Sequence, residues 1–313
     1  MSNQFITPNF YKIYGLTIKS DIEIHPYLKI KNHENKYDIN ILIGDTIKDN
    51  SIPLFDYGVF KYYKNRINIT INNVASYDLI NGCKIVVNPS PNASINDVKK
   101  YIIGSCLGLL LFQRNTITLH GGALCINDNG VIISGNIGAG KTTLVSKFIE
   151  KGYPFLSDDV SVITTDDNKY IINSSFPQQK LCKDTVLSLG YDLLKLELID
   201  EIKNKYYGPI LPNFTKTPCE FKYFFYINCS DCDKVSYSEI NGVNKFQLIF
   251  NNIYRTEVIP KSLFSPMYIK KCLQISNKIK VYQINRPKNS NTINELTELI
   301  EKLSINNKLS SVS

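Results

Sequence analysis

Eight consecutive residues, Gly135-Asn136-Ile137-Gly138-Ala139-Gly140-Lys141-Thr142, match the pattern G-x-x-x-x-G-K-(S/T) at every fixed position. Each fixed type has a physical task. Glycines let backbone N–H groups turn toward phosphate oxygens with no Cβ in the way. A helix opening at the lysine points the positive end of its dipole at the same oxygens. Lys141 is placed to reach the β- and γ-phosphates, and the Thr142 hydroxyl to ligate Mg²⁺, with Thr143 ending the nucleotide-contacting run. The pattern is short enough to arise by chance, but its context is met. The apolar run Val131–Ser134 precedes it, and a helical stretch, Thr143–Lys151, follows and closes at Gly152. A glycine-rich turn alone would not bring Lys-Thr into the helix in this register. The expected ligand is ATP with Mg²⁺, GTP being left open.

The loop announces a nucleotide, and kinases, GTPases, ATPases and transporters share it. Two neighbouring features narrow the choice. Asp158-Asp159 interrupts the next strand-like run, between Phe155-Leu156 and Val160–Ile163. Neighbours on a regular strand face opposite ways, so a break in regularity is needed to aim both carboxylates inward. The plain alternative is an exposed acidic turn. His120-Gly121 ends the run before the loop's own hairpin. His120 is equally readable as a satisfied core histidine or as a member of the site.

Taken together, Leu119-His-Gly-Gly122, Gly135–Thr142 and Leu156-Ser-Asp-Asp159 resemble, in order and spacing, the catalytic domain of the HPr kinase/phosphorylase family. The resemblance covers roughly residues 116–165 and fades through 165–303. It implies a fold distantly related to phosphoenolpyruvate carboxykinase. It also implies roles: Lys141 on the phosphates, Thr142 and Asp159 on Mg²⁺, Asp158 as the base for a substrate hydroxyl, and His120 hydrogen-bonded to Asp158 and tuning it. The bifunctional enzymes carry a later glutamate-containing signature that is missing here, where Phe176-Pro-Gln-Gln-Lys-Leu181 stands. That run, and Tyr14–Asp21, resemble shorter HPr kinase-like proteins with a β-rich N-terminal domain. Some of those phosphorylate precursor peptides in modified-peptide pathways.

The elements that must position these residues are legible in outline. Short Ile/Val/Tyr-rich runs separated by Asn/Asp/Gly/Pro clusters make residues 1–93 a β-rich domain without a catalytic motif, a candidate for substrate recognition. Ser94-Ile-Asn-Asp97 reads as a helix start, followed by a helix apolar all round and hence buried. Residues 94–303 read as an α/β P-loop catalytic domain of the HPr kinase/phosphoenolpyruvate carboxykinase type, with Thr116–Ile126 as one strand and Asp184–Leu198 as a helix. Residues 304–313 read as a flexible tail.

The 313 residues carry 36 Lys+Arg against 28 Asp+Glu, a formal charge of +8 that favours anionic ligands. Basic residues neither cluster on a helix nor interleave with aromatics, which argues against nucleic acid. The longest apolar stretch, Tyr101–Phe112, is about a dozen residues, too short to span a bilayer. Met1–Phe10 has no basic-then-apolar signal, so a cytoplasmic protein without a membrane partner is expected. The eight cysteines are scattered and read as small hydrophobes in a reducing compartment; Cys229-Ser-Asp-Cys232 reads as a loop, with no second pair to complete a zinc site. The leading expectation is ATP- and Mg²⁺-dependent transfer of the γ-phosphate to a Ser/Thr hydroxyl of a peptide or small protein. The alternative is a nucleotide-gated module that presents a peptide without phosphorylating it. A carboxykinase-like metabolic enzyme fits less well, since four arginines leave little to clamp a small dianion. A homo-oligomer is left open.

Overall fold

The computed structural model describes residues 8–31, 35–48, 51–200, 204–209, 212–288 and 290–305. The chain divides into two compact units. One takes residues up to Thr116 together with Arg255–Tyr268, and the other takes Ile117–Tyr254 and the chain from Ile269.

In the first unit, Ile/Val/Tyr-rich runs become eight strands. These are β1 (Asn9–Ile13), β2 (Leu16–Ser20), β3 (Ile39–Ile43), β4 (Phe55–Tyr57), β5 (Phe60–Tyr62), β6 (Arg66–Ile71), β7 (Ala75–Ile80) and β8 (Lys84–Pro89). They form one sheet in the order β1-β2-β3-β8-β7-β6-β5-β4. Hairpins close through pairs of left-handed residues, Tyr14-Gly15 and Asn81-Gly82. With no tryptophan available, fully buried Tyr11, Tyr62 and Tyr77 supply the bulk of the core. Helices α1 (Ile95–Tyr101) and α2 (Leu107–Gln113) run on through a π-helical stretch at Ile102–Cys106. Both helices are tied to this sheet by side chains: Tyr77 Oη donates to Val98 O (3.1 Å) and Gln113 Nε2 to Leu79 O (3.2 Å).

The second unit is mixed α/β. Its large sheet contains β9 (Ile117–His120), β10 (Gly122–Ile126), β11 (Asn129–Gly135), β12 (Phe155–Ser157), β13 (Val160–Asp166), β14 (Lys169–Asn173), β18 (Cys219–Ser230), β19 (Ser236–Glu239) and β20 (Lys280–Pro287). A three-stranded sheet joins β15 (Lys180–Cys182), β16 (Glu197–Asp200) and β17 (Lys205–Tyr207). Helices α3 (Lys141–Glu150), α4 (Lys183–Ser188), α5 (Gly242–Asn251), α6 (Pro266–Lys278) and α7 (Ile293–Ile305) complete the list. The expected single strand Thr116–Ile126 is two strands: Gly121 breaks it, β9 pairing with β13 and β10 with β11 and β12. The expected helix Asp184–Leu198 stops at Ser188, because Gly190 takes a left-handed conformation (φ 71°). The expected tail overlaps α7 at its start; residues 306–313 lie outside the described residues.

Strand direction decides where the site can form. β10 runs antiparallel to both β11 and β12, so β11 and β12 point the same way. β18 is parallel to β11, and β20 to β18. The C-terminal ends of four strands, and the start of β10, therefore lie along one sheet edge, where ligands of α/β sheets characteristically bind. Two glycines keep this region close-packed. A Cβ on Gly135 (φ 149°) would lie 2.1 Å from Ile227 O of β18, and one on Gly122 would lie 2.8 Å from Val145 Cγ2 of α3. No helix among the described residues is long and apolar enough to cross a membrane.

Gly138 provides a contrast, since its φ is 78° but nothing lies within 4 Å of an added Cβ. Gly138→Ala is expected to cost about 1 kcal/mol in chemical denaturation, and Gly135→Ala about 3 kcal/mol or more. Equal costs would show that β11 and β18 are not held at this spacing.

Candidate active site

The loop after β11 begins at Gly135, and Gly140 (φ 87°) delivers Lys141 into the first turn of α3. Ala139 is buried, whereas Asn136, Ile137 and Gly138 are exposed. Lys141 Nζ donates to Gly135 O (2.8 Å) and Asn136 O (3.0 Å), so the cation lies over its own loop. Burial draws the Lys141 pKa down, the charges of Asp159 and Asp158 oppose that, and Lys205 adds to it. Those influences place both carboxylates within electrostatic reach of the loop lysine. Thr142 and Thr143 follow in the first turn, half-buried.

Asp158 and Asp159 occupy the break between β12 and β13, where the chain leaves β10 (Ala123 opposite Ser157) and joins β9 (His120 opposite Val160). This irregularity lets two consecutive carboxylates belong to one site, and the plain acidic turn is not what is found. The two have different environments. Asp158 Oδ2 accepts a hydrogen bond from Lys180 N (2.8 Å). Burial and the neighbouring Asp159 charge push Asp158 up to about 6. Asp159 Oδ1 lies 3.2 Å from His120 Nδ1, and its Oδ2 lies 3.6 Å from Lys180 Nζ. Burial works against the Asp159 charge, but the His120 hydrogen bond and Lys180 overcome it and hold the group well below the usual carboxylate range. Lys180 responds in kind: burial disfavours its charge, but Asp159, Tyr254, Tyr207 and Asp158 together outweigh this and raise its pKa.

One pairing differs from expectation. His120 partners Asp159 and not Asp158, because His120 stands opposite Val160 across the β9–β13 ladder, which puts the nearer carboxylate in reach. The histidine is firmly placed. His120 N donates to Asn252 O (2.7 Å), and Ser134 Oγ lies 2.5 Å from His120 O and 2.8 Å from Asn252 Oδ1. The Tyr254 ring stacks beside the imidazole at 6.4 Å.

Other residues have no signal near the motifs. Arg286, at the end of β20, donates from Nε to Ala139 O (3.0 Å) across a separation of 147 residues. Tyr226 Oη donates to Asn136 Oδ1 (2.6 Å), and Asn136 Nδ2 donates to Asn228 Oδ1 (3.3 Å). Lys180 stands in the recognisable run Phe176–Leu181, but only the three-dimensional arrangement reveals it as the cation of the carboxylate pair. Cys125 and Cys219 face each other, β10 and the start of β18 bringing their Cα atoms to 6.2 Å. Cys229 and Cys232 are free.

No protein-family model matches this chain. It is 23% identical over 149 residues to the HPr kinase/phosphorylase of Mycoplasmopsis pulmonis (strain UAB CTIP), an alignment covering 47% of this chain and 44% of that protein. The chain thus matches less than half the length of this curated relative. Among solved structures, it is similar to the Hpr(Ser) kinase/phosphatase from Coxiella burnetii, at 19% identity over 60% of this chain and 87% of that one. The TM-score of 0.32 is too low for that superposition to bear on the fold. The chain resembles the HPr kinase/phosphorylases, as its three motifs do.

The raised Asp158 pKa has a thermodynamic consequence. A carboxyl that titrates near 6 when folded, against an ordinary 3.8, costs the folded state stability as pH rises from about 4 to 7. Asp158→Asn cannot ionise and retains an acceptor for Lys180 N. In metal-free buffer it is expected to raise Tm by about 2–4 °C at pH 8 and by less at pH 4.5. An equal or lower Tm at pH 8 would contradict the assigned environment.

Proposed function

We propose that this protein is a kinase that transfers the γ-phosphate of ATP to a Ser or Thr hydroxyl of a peptide or small protein. The observation carrying the proposal is that a complete phosphate loop and a carboxylate pair of unequal acidity share one strand edge. The sequence similarity to an HPr kinase/phosphorylase supports it.

In this reading the backbone N–H groups of Gly135–Thr143 and the dipole of α3 hold the phosphates, with Lys141 on the β- and γ-groups. Oxygen donors suit Mg²⁺, and Thr142 and Asp159 supply a hydroxyl and a carboxylate at this edge. When bound, Mg²⁺ neutralises charge developing on the transferring phosphoryl group.

Asp158 is the proposed general base. Its pKa of about 6 leaves it ionised at neutral pH, yet basic enough to take a proton as bonding develops. The acceptor oxygen forms a bond to the γ-phosphorus, the bond to the bridging β–γ oxygen breaks, the proton passes to Asp158, and ADP leaves. His120 is a positioning residue: held by Ser134 and Asn252, it fixes Asp159. Lys180 serves both carboxylates, through its N–H to Asp158 and its ammonium to Asp159. The catalytic domain is proposed as residues 94–303. The β-rich domain 1–93 is proposed to help recognise the acceptor by strand addition at β4, which ends its sheet. Similarity of Phe176–Leu181 to short HPr kinase-like proteins places modified-peptide precursors among the acceptors to test.

With γ-labelled ATP·Mg²⁺ and Ser/Thr peptides, label is expected on peptide hydroxyls. Lys141→Ala should weaken ATP·Mg²⁺ binding at least tenfold by calorimetry while leaving Tm unchanged. Wild-type affinity and transfer in Lys141→Ala would overturn the reading. Tight ATP binding with no label on any acceptor would favour a nucleotide-gated presentation module instead.

A further inference from the structure

A hydroxyl addressed by Asp158 must be brought there by the rest of its peptide, and a cavity opens beside the segment that aims this carboxylate. β15 pairs antiparallel with β17, Lys180 opposite Tyr207. The pairing continues past the strand ends, since Gly208 N donates to Gln179 O (2.8 Å) and Gln178 Nε2 donates to Gly208 O (3.3 Å). Lys180 N is the group that holds Asp158 Oδ2. Tyr207 is therefore one strand spacing, roughly 4.8 Å, from the backbone that fixes the proposed base.

The cavity on this segment has a volume of about 360 Å³. Tyr191, Leu196, Tyr207 and Pro209 form apolar walls, and Lys195 and Glu197 also line it. That volume has room for a large side chain together with the backbone on either side of it. Leu194, next in sequence to the lining residue Lys195, is 95% exposed.

We propose that this cavity is a specificity pocket for the phosphoryl acceptor. It takes an aromatic or branched aliphatic side chain of an extended peptide, two or three residues from the hydroxyl at Asp158. The spacing follows from geometry, since the cavity lies one strand beyond the Lys180 backbone and an extended chain advances about 3.3 Å per residue. The proposal rests on the kinase reading above.

The test uses the full chain, γ-labelled ATP·Mg²⁺ and a peptide library with a fixed Ser. Each position within three residues of that Ser is set in turn to Phe, Leu, Tyr, Gly or Asp. Wild type is expected to favour Phe, Leu or Tyr over Gly by about tenfold or more in kcat/KM at one position two or three residues away. Tyr191→Ala and Leu196→Ala are expected to bring that ratio close to one, leaving kcat/KM on the Gly peptide and the ATP affinity unchanged. Transfer without any apolar preference, or a preference that both variants retain, would overturn the pocket and leave the kinase standing. Label on no peptide would overturn both.

Discussion

Asp158 and Asp159 are consecutive carboxylates drawn partly out of water, and two such charges repel. The fold separates them energetically instead of spatially. Asp159 receives the imidazole of His120 and the ammonium of Lys180, while Asp158 accepts a backbone N–H, feels the lysine charges of Lys180 and Lys205 less strongly, and bears its neighbour's charge. One is thereby held firmly ionised and the other is made more basic. That asymmetry, which a regular strand could not present on one face, is what the remaining architecture serves. The break between β12 and β13 admits both side chains, and β9 supplies the histidine. The three-stranded sheet supplies the lysine through β15.

The Gly135–Thr142 loop reaches the same edge by a separate constraint. β11 lies so close to β18 at Gly135 and Ile227 that no side chain fits between them. α3 then packs on β10 over Gly122. The pairs His120-Gly121 and Gly121-Gly122 thus combine chemistry with clearance. A Cβ on Gly121 would meet Ile133 O at 2.7 Å, so the glycines beside the histidine are packing requirements as much as a signature.

This explains how much could be read from the sequence. The Gly135–Thr142 loop and the Asp pair stand out in the sequence because each is a local pattern of neighbouring residues. The partner of His120 does not, because choosing between adjacent carboxylates depends on strand register. Lys180, Asn252 and Arg286 were hidden for a related reason: each reaches the site from a distant segment. Arg286 holds Ala139 O, and Asn252 holds the His120 backbone. In the first unit the strands were visible as Ile/Val/Tyr runs, but the attachment of the helices after Ser94 to the sheet was not: it is made by Tyr77 and Gln113, contacts with no sequence period to reveal them. The helix expected over Asp184–Leu198 failed at Gly190, where a left-handed glycine ends α4 and the chain turns back to form the three-stranded sheet.

The central claim is that Asp158 does chemistry and is not a further nucleotide ligand. The most direct measurement is single-turnover transfer from γ-labelled ATP to a labelled acceptor, made beside calorimetric ATP·Mg²⁺ affinity, for wild type and Asp158→Asn. The account predicts that the variant binds ATP·Mg²⁺ within about threefold of wild type and transfers roughly 10²–10⁴ times more slowly. Transfer at the wild-type rate by Asp158→Asn would contradict it.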